Sequence, residues 1–110
     1  MEDAAPQAAE HIGKILVAED FEPHVGKLFR FRGTRFAFPL TKIMLGPLQE
    51  PSEWVRRRGF VLLFRTPKEQ EWMPEGAYVC DIADGPNHEV YVTPIHTPDP
   101  RYQDYQAVFN

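Results

Sequence analysis

The chain has 110 residues, 43% of them hydrophobic and 25% charged, with a net charge of −4 at pH 7. That length suits one domain with its own core, and the acidic balance speaks against general nucleic-acid binding. The single cysteine, Cys80, excludes an internal disulfide and a cysteine-rich zinc site, and no apolar run reaches the roughly 20 residues of a membrane-spanning helix.

Residues 1–10 are mostly Ala, Glu, Asp and Pro and are expected to form a frayed acidic leader. The opening Met1-Glu2-Asp3-Ala4-Ala5 lacks the basic and apolar regions of a secretory signal, so a cytoplasmic location is expected. One β domain is expected over 11–110. His11 to Ala18 is short and apolar, an edge strand or a docked arm. Ala18 to Gly26 reads as one or two helical turns. Phe21 and Val25 are four apart and so share a face, acidic residues sit at the start, and Gly26 is the stop.

Lys27 to Gly33 alternates, with Phe29 and Phe31 inward and Leu28, Arg30 and Arg32 outward. Gly33 then supplies the positive φ of a hairpin turn. The next strand runs from Arg35 to about Leu45, with Phe36, Phe38, Leu40 and Met44 on one face and Arg35, Thr41 and Ile43 on the other. Pro39 removes a ladder hydrogen bond, which predicts an edge position or a bulge there. Leu48 to Arg58 reads as a loop with a turn of helix after Pro51-Ser52. Phe60 to Phe64, closed by Gly59 before it and Arg65-Thr66-Pro67 after it, is the longest apolar run and predicts a strand buried on both faces.

Three more strands follow. Ala77 to Ile82 places Tyr78, Cys80 and Ile82 on one side, Glu89 to Ile95 is β-branched and aromatic, and Tyr102 to Phe109 places Tyr105, Ala107 and Phe109 together. Asp84-Gly85-Pro86-Asn87 is a strong turn signal. The sum is a mainly all-β domain: a small antiparallel β-barrel or sandwich of about six or seven short strands with one short N-terminal helix.

Several stretches together carry a resemblance: Ala18-Glu19-Asp20-Phe21, Val25-Gly26, Phe60 to Pro67, Pro74-Glu75-Gly76-Ala77-Tyr78, Val90 to Ile95 and Tyr105 to Asn110. In this order and spacing, over about residues 17–110, the chain resembles a family of small single-domain bacterial proteins of unknown function. The resemblance implies no assigned activity. The chain departs from the usual pattern in its acidic leader, in Arg56-Arg57-Arg58, and in Thr66 where a glycine is typical.

No catalytic constellation is legible. The only serine is Ser52, and there is no nucleophile elbow, phosphate loop or dinucleotide fingerprint. His88 and His96 on one strand stand roughly 26 Å apart, too far to share a metal. Asp81 and Glu89 face each other across a hairpin in the manner of many solvated sheet surfaces. Cys80, in an alternating strand, reads as a buried structural thiol. The chain is therefore expected not to be an enzyme and to use no metal or cofactor.

Charge is spread unevenly. Nine basic residues lie between Lys27 and Arg65 against Glu50 and Glu53, while the remainder holds three basic and fourteen acidic residues. Either basic and acidic strands complement each other, or Arg30, Arg32, Arg35, Arg56, Arg57 and Arg58 form a face for an anionic partner. Arg65, directly after the buried run, must reach water or a partner, as a salt bridge or as an anion-binding group at a barrel mouth. Trp54 and Trp72 stand in loops, either as interface anchors or as caps on an open barrel end. These residues are the interaction candidates of a non-catalytic interaction or assembly domain, which binds another protein or itself through loops and edge strands. The alternative is a small-ligand binder with an aromatic mouth of Phe29, Phe36, Phe38, Tyr78 and Tyr91.

Overall fold

A computed structural model describes residues 15–48 and 57–110. The acidic leader, the helical turn expected after Pro51, and Trp54 and Arg56 lie outside the described residues. The expected N-terminal helix is present as two consecutive 3-10 turns, Ala18–Asp20 and Glu22–His24. Six strands follow: β1 (Leu28–Phe31), β2 (Ala37–Leu45), β3 (Phe60–Pro67), β4 (Gly76–Ile82), β5 (Asn87–Ile95) and β6 (Tyr102–Phe109).

The strands close into an antiparallel barrel in the order β1-β2-β3-β6-β5-β4. Two meanders, β1-β2-β3 and β4-β5-β6, are joined at two seams. One seam is the pairing of β3 with β6 in unbroken register from Phe60↔Phe109 to Pro67↔Tyr102. The other is the shorter pairing of β1 with β4. β2 and β5 each belong to two ladders. β2 leaves β1 after Leu28↔Pro39 and joins β3 from Leu40↔Phe64. β5 leaves β4 after Gly76↔Val92 and joins β6 from Thr93↔Gln106. Pro39 holds the last pair of β2 with β1, and Pro94 holds the second pair of β5 with β6, one residue past the change of partner. Gly33 has φ 80° in the β1–β2 turn, and Gly26 has φ 90° where the 3-10 turns give way to β1, as both positions require.

The register of β2 shifts between Leu40 and Lys42. This bulge corrects the expected facing of the strand. Before it, Phe38 and Leu40 point inward; after it, the phase reverses, so Ile43 packs on the core and Met44 faces solvent at 46% exposure.

The interior is filled by Phe29, Phe31, Phe38, Leu40, Leu62, Phe64, Val90, Val92 and Tyr105. Tyr105 stacks on Phe38 at 4.2 Å between ring centroids. Each end of the barrel has its own plug. At one, Phe21 is fully buried among Phe29, Phe60, Phe109 and His88, with ring separations of 6.4, 5.9, 5.7 and 5.3 Å. Val25 is exposed, so the expected Phe21–Val25 face does not form: a 3-10 turn repeats every three residues, not every 3.6. At the other end, the β3–β4 connection brings in the buried Met73, whose backbone N–H donates to the Tyr105 hydroxyl at 2.9 Å. Met73 is thus the cap, and Trp72 beside it is turned outward at 60% exposure.

Phe21→Ala should destabilise the domain by about 3–5 kcal/mol, in the range for deleting a buried phenylalanine. Urea unfolding followed by circular dichroism measures it; a loss below about 1 kcal/mol would mean that Phe21 does not close the barrel.

Candidate interaction surface

The side chains singled out in the sequence are dispersed over the barrel, and most are committed within it. Arg32 on the β1–β2 turn forks onto Asp81 of β4, with bonds of 2.8 and 2.7 Å. Its hydrogen bonds hold the Asp81 carboxyl below the ordinary carboxylate range. Asp81 stands opposite Asn87 and Glu89 opposite Val79, so the two carboxylates are not a facing pair. Arg35 reaches Glu69 and Glu71 on the β3–β4 connection at 2.9 and 3.1 Å and lies over the Phe36 ring. Arg30 is exposed next to Asp81 in the β1–β4 ladder and makes no ion pair among the described residues.

Arg57 and Arg58 use backbone carbonyls. Arg57 donates to Leu16 at 2.8 Å and to the Asn110 carbonyl at 2.9 Å, which ties the N-terminal segment to the end of β6. Arg58 donates to the Gly46 carbonyl at 2.7 Å, across the gap between β2 and β3. Arg65 forks onto Asp104 of β6 at 2.7 and 3.0 Å and lies over the Tyr102 ring, on the outside of the barrel and not at a mouth. Basic β1–β3 and acidic β4–β6 therefore complement each other, strand against strand.

The five aromatic residues of the expected mouth do not line one cavity. Phe29 and Phe38 are buried in the packed core, and Phe36 and Tyr78 are half-buried on its rim. Tyr91 points outward at 53% exposure, where it donates to Glu75. Alternation along β5 dictates this, because Val90 and Val92 are the inward residues. Cys80 is buried, and burial pushes its thiol up to about 12. Among the described residues, no group of three His, Cys, Asp or Glu is placed to hold a metal, and no helix is long and apolar enough to cross a membrane.

What the sequence reading missed is the outer face of β3. Phe60, Leu62 and Phe64 point inward as expected, but Val61 and Leu63 are only half-buried. They do not enter a second core. The ladders place Met44 and Val108 on either side of Val61, and Val108 is 48% exposed. One row further along, Leu63 lies between Lys42 and Gln106. Beyond it, a depression of about 330 Å³ is lined by Leu63, Arg65, Ile95, Asp104, Lys42 and Thr41. Met44, Val61, Val108 and Leu63 thus form an apolar cluster on the outer face of β2, β3 and β6, bordered by Lys42, Gln106 and the depression. The signal was in the sequence: an unbroken Val-Leu-Leu run has two apolar faces, and a barrel wall has only one inside.

Two outcomes follow from these environments. Cys80 in the folded chain should resist a thiol-specific disulfide reagent at pH 8 and react fully once the chain is unfolded; fast labelling of the folded chain, followed by absorbance, would contradict its burial. Asp81 has a depressed folded pKa, so its contribution is complete above the ordinary value of 3.8 and is lost as pH falls through the lowered one. The pair keeps 29% and 41% of its side-chain surfaces exposed. Water screens it, and Asp81→Asn should lower stability at pH 7 by no more than about 1 kcal/mol and flatten the acid limb of a stability–pH profile.

Comparison with curated proteins and with solved structures finds no match. The profile of the domain of unknown function DUF6916 matches residues 16–109, and the chain belongs to that family.

Proposed function

We propose that this chain is a non-catalytic interaction domain that binds another protein through the outer face of β2, β3 and β6 and the loops beside it. One observation carries the reading. The wall of a filled barrel needs apolar side chains on its inside only, yet Met44, Val61, Leu63 and Val108 continue the apolar character outside. Alternating strands with one wetted face carry polar residues there.

Several features support a binding role over a catalytic one. The thiol is held protonated by burial, and Arg32, Arg35 and Arg65 are engaged by Asp81, by Glu69 and Glu71, and by Asp104. Barrel closure pairs every described strand on both sides over part of its length, so contact shifts from edge strands to the outer face. The buried free thiol fits a reducing compartment, and a cytoplasmic location is part of the proposal. Trp72, outward on the β3–β4 connection, is a second anchor of the type that dominates interfaces.

Val61→Asp tests the reading. The side chain points away from the core, so the melting temperature should fall by no more than about 5 °C. Proteins co-purifying from the source cell with the tagged wild-type chain should drop at least about tenfold with the variant, measured by quantitative mass spectrometry; a tenfold loss is about 1.4 kcal/mol. An unchanged set of co-purifying proteins would remove this face from the proposal. Arg57→Ala is a poor probe, because it also releases Leu16 and Asn110.

A further inference from the structure

The chemistry of the outer face restricts what can cover it, an inference that rests on the binding role proposed above. Three cross-strand rows form the face: Met44–Val61–Val108, then Lys42–Leu63–Gln106–Thr93, then Arg65–Asp104–Ile95. Within these rows the only acid is Asp104, and both of its oxygens are taken by Arg65. Lys42 is exposed at the rim of the depression and makes no ion pair among the described residues. Among the described residues the face thus offers an apolar floor, one uncommitted cation and no uncommitted anion.

We infer that it docks an acidic, apolar segment of a different protein, with a carboxylate against Lys42 and apolar side chains along Leu63, Val61 and Val108. Charge complementarity decides between this occupant and a second copy of the chain. Two such faces pressed together bring in two Lys42 ammonium groups and no carboxylate able to receive either. Enclosing an uncompensated charge is strongly unfavourable, and like charges across an interface suppress a wrong partner. A partner with carboxylates between apolar residues meets both demands of the surface.

The test titrates the isotope-labelled full chain with two synthetic peptides of about ten residues, the length of a long strand. One alternates valine with glutamate and the other valine with lysine. The glutamate peptide should shift the amide resonances of Lys42, Leu63, Gln106 and Val108 saturably at ~0.05 M salt, and bind at least about fivefold more weakly at ~0.5 M, where the Debye length is only a few ångströms. The lysine peptide should leave them in place. Lys42→Glu, at an exposed position, should keep the dispersed spectrum of the fold and reverse the preference between peptides. Equal shifts with both peptides, shifts confined to another surface, or none at all would overturn the inference. Light scattering of the chain alone separates the two proposals. A monomer is expected. A dimer that Val61→Asp dissociates would overturn the different-protein partner while leaving the face as an interaction surface.

Discussion

Closure of this barrel depends on two strands changing partner partway along their length. β1 and β4 are too short to pair along the full height of β2 and β5, whereas β3 and β6 pair with each other from end to end. The wall can close only if β2 passes from β1 to β3 and β5 passes from β4 to β6. A proline stands beside each turn, Pro39 at the end of the β1 pairing and Pro94 one residue into the β6 pairing, and β2 adds a bulge at Thr41, whose hydroxyl donates to the Leu63 carbonyl at 2.9 Å. A residue that cannot donate to a ladder is expensive in a straight central strand. Beside a corner, where the strand passes from one partner to the next, it is accommodated. The two meanders thus solve the same geometric problem with the same residue.

Those corners bring polar groups together as well as backbone. Once β1 lies against β4 and β3 against β6, the arginines of the first meander stand beside the acids of the second, and Arg32–Asp81 and Arg65–Asp104 straddle the two seams. Each exposed pair contributes little to stability. Their effect is on register and on partners: a slip by one residue turns Asp104 inward and leaves Arg65 unmatched. A cationic stripe available to nucleic acid or polyanions is largely neutralised for the same reason.

Much of this architecture is legible in the sequence because alternation is a local property. The inward placement of Phe29, Phe31, Phe38, Phe64 and Tyr105 follows from period-two patterning, as does the turn at Gly33. Apart from the Phe21–Val25 face, which the 3-10 period undoes locally, the readings that failed depend on non-local geometry. Met44 faces out because the bulge that follows Pro39, one of the two outcomes that proline predicts, reverses the phase, and the expected facing of the strand does not carry that reversal through. Met73 caps the barrel and Trp72 does not, although the bulkier ring is the better candidate by size. Their order along a connection that crosses the barrel end decides which one points in. The arginines read as a patch because sequence distance is silent about Asp81 and Asp104, which lie 49 and 39 residues away.

The outer face of β3 has an ordinary explanation that must be weighed against a binding role. Valine suits a strand wherever it sits, and isolated apolar residues on a surface are common. β-propensity accounts for Val61 and Val108 taken singly. It accounts less well for Leu63 and Met44, which are not β-branched, and it says nothing about all four falling in adjacent cross-strand positions on three neighbouring strands. Elsewhere in the wall the outward apolar residues, such as Leu28 and Tyr91, are separated by Arg30, Asp81 and Glu89. The contrast is between two halves of one barrel built by the same rules. On one half the exposed apolar residues Leu28 and Tyr91 are interspersed with Arg30, Asp81 and Glu89, and on the other Met44, Val61, Leu63 and Val108 adjoin one another beside Lys42, which makes no ion pair among the described residues. That asymmetry is what a free-standing barrel does not need and a docked one does.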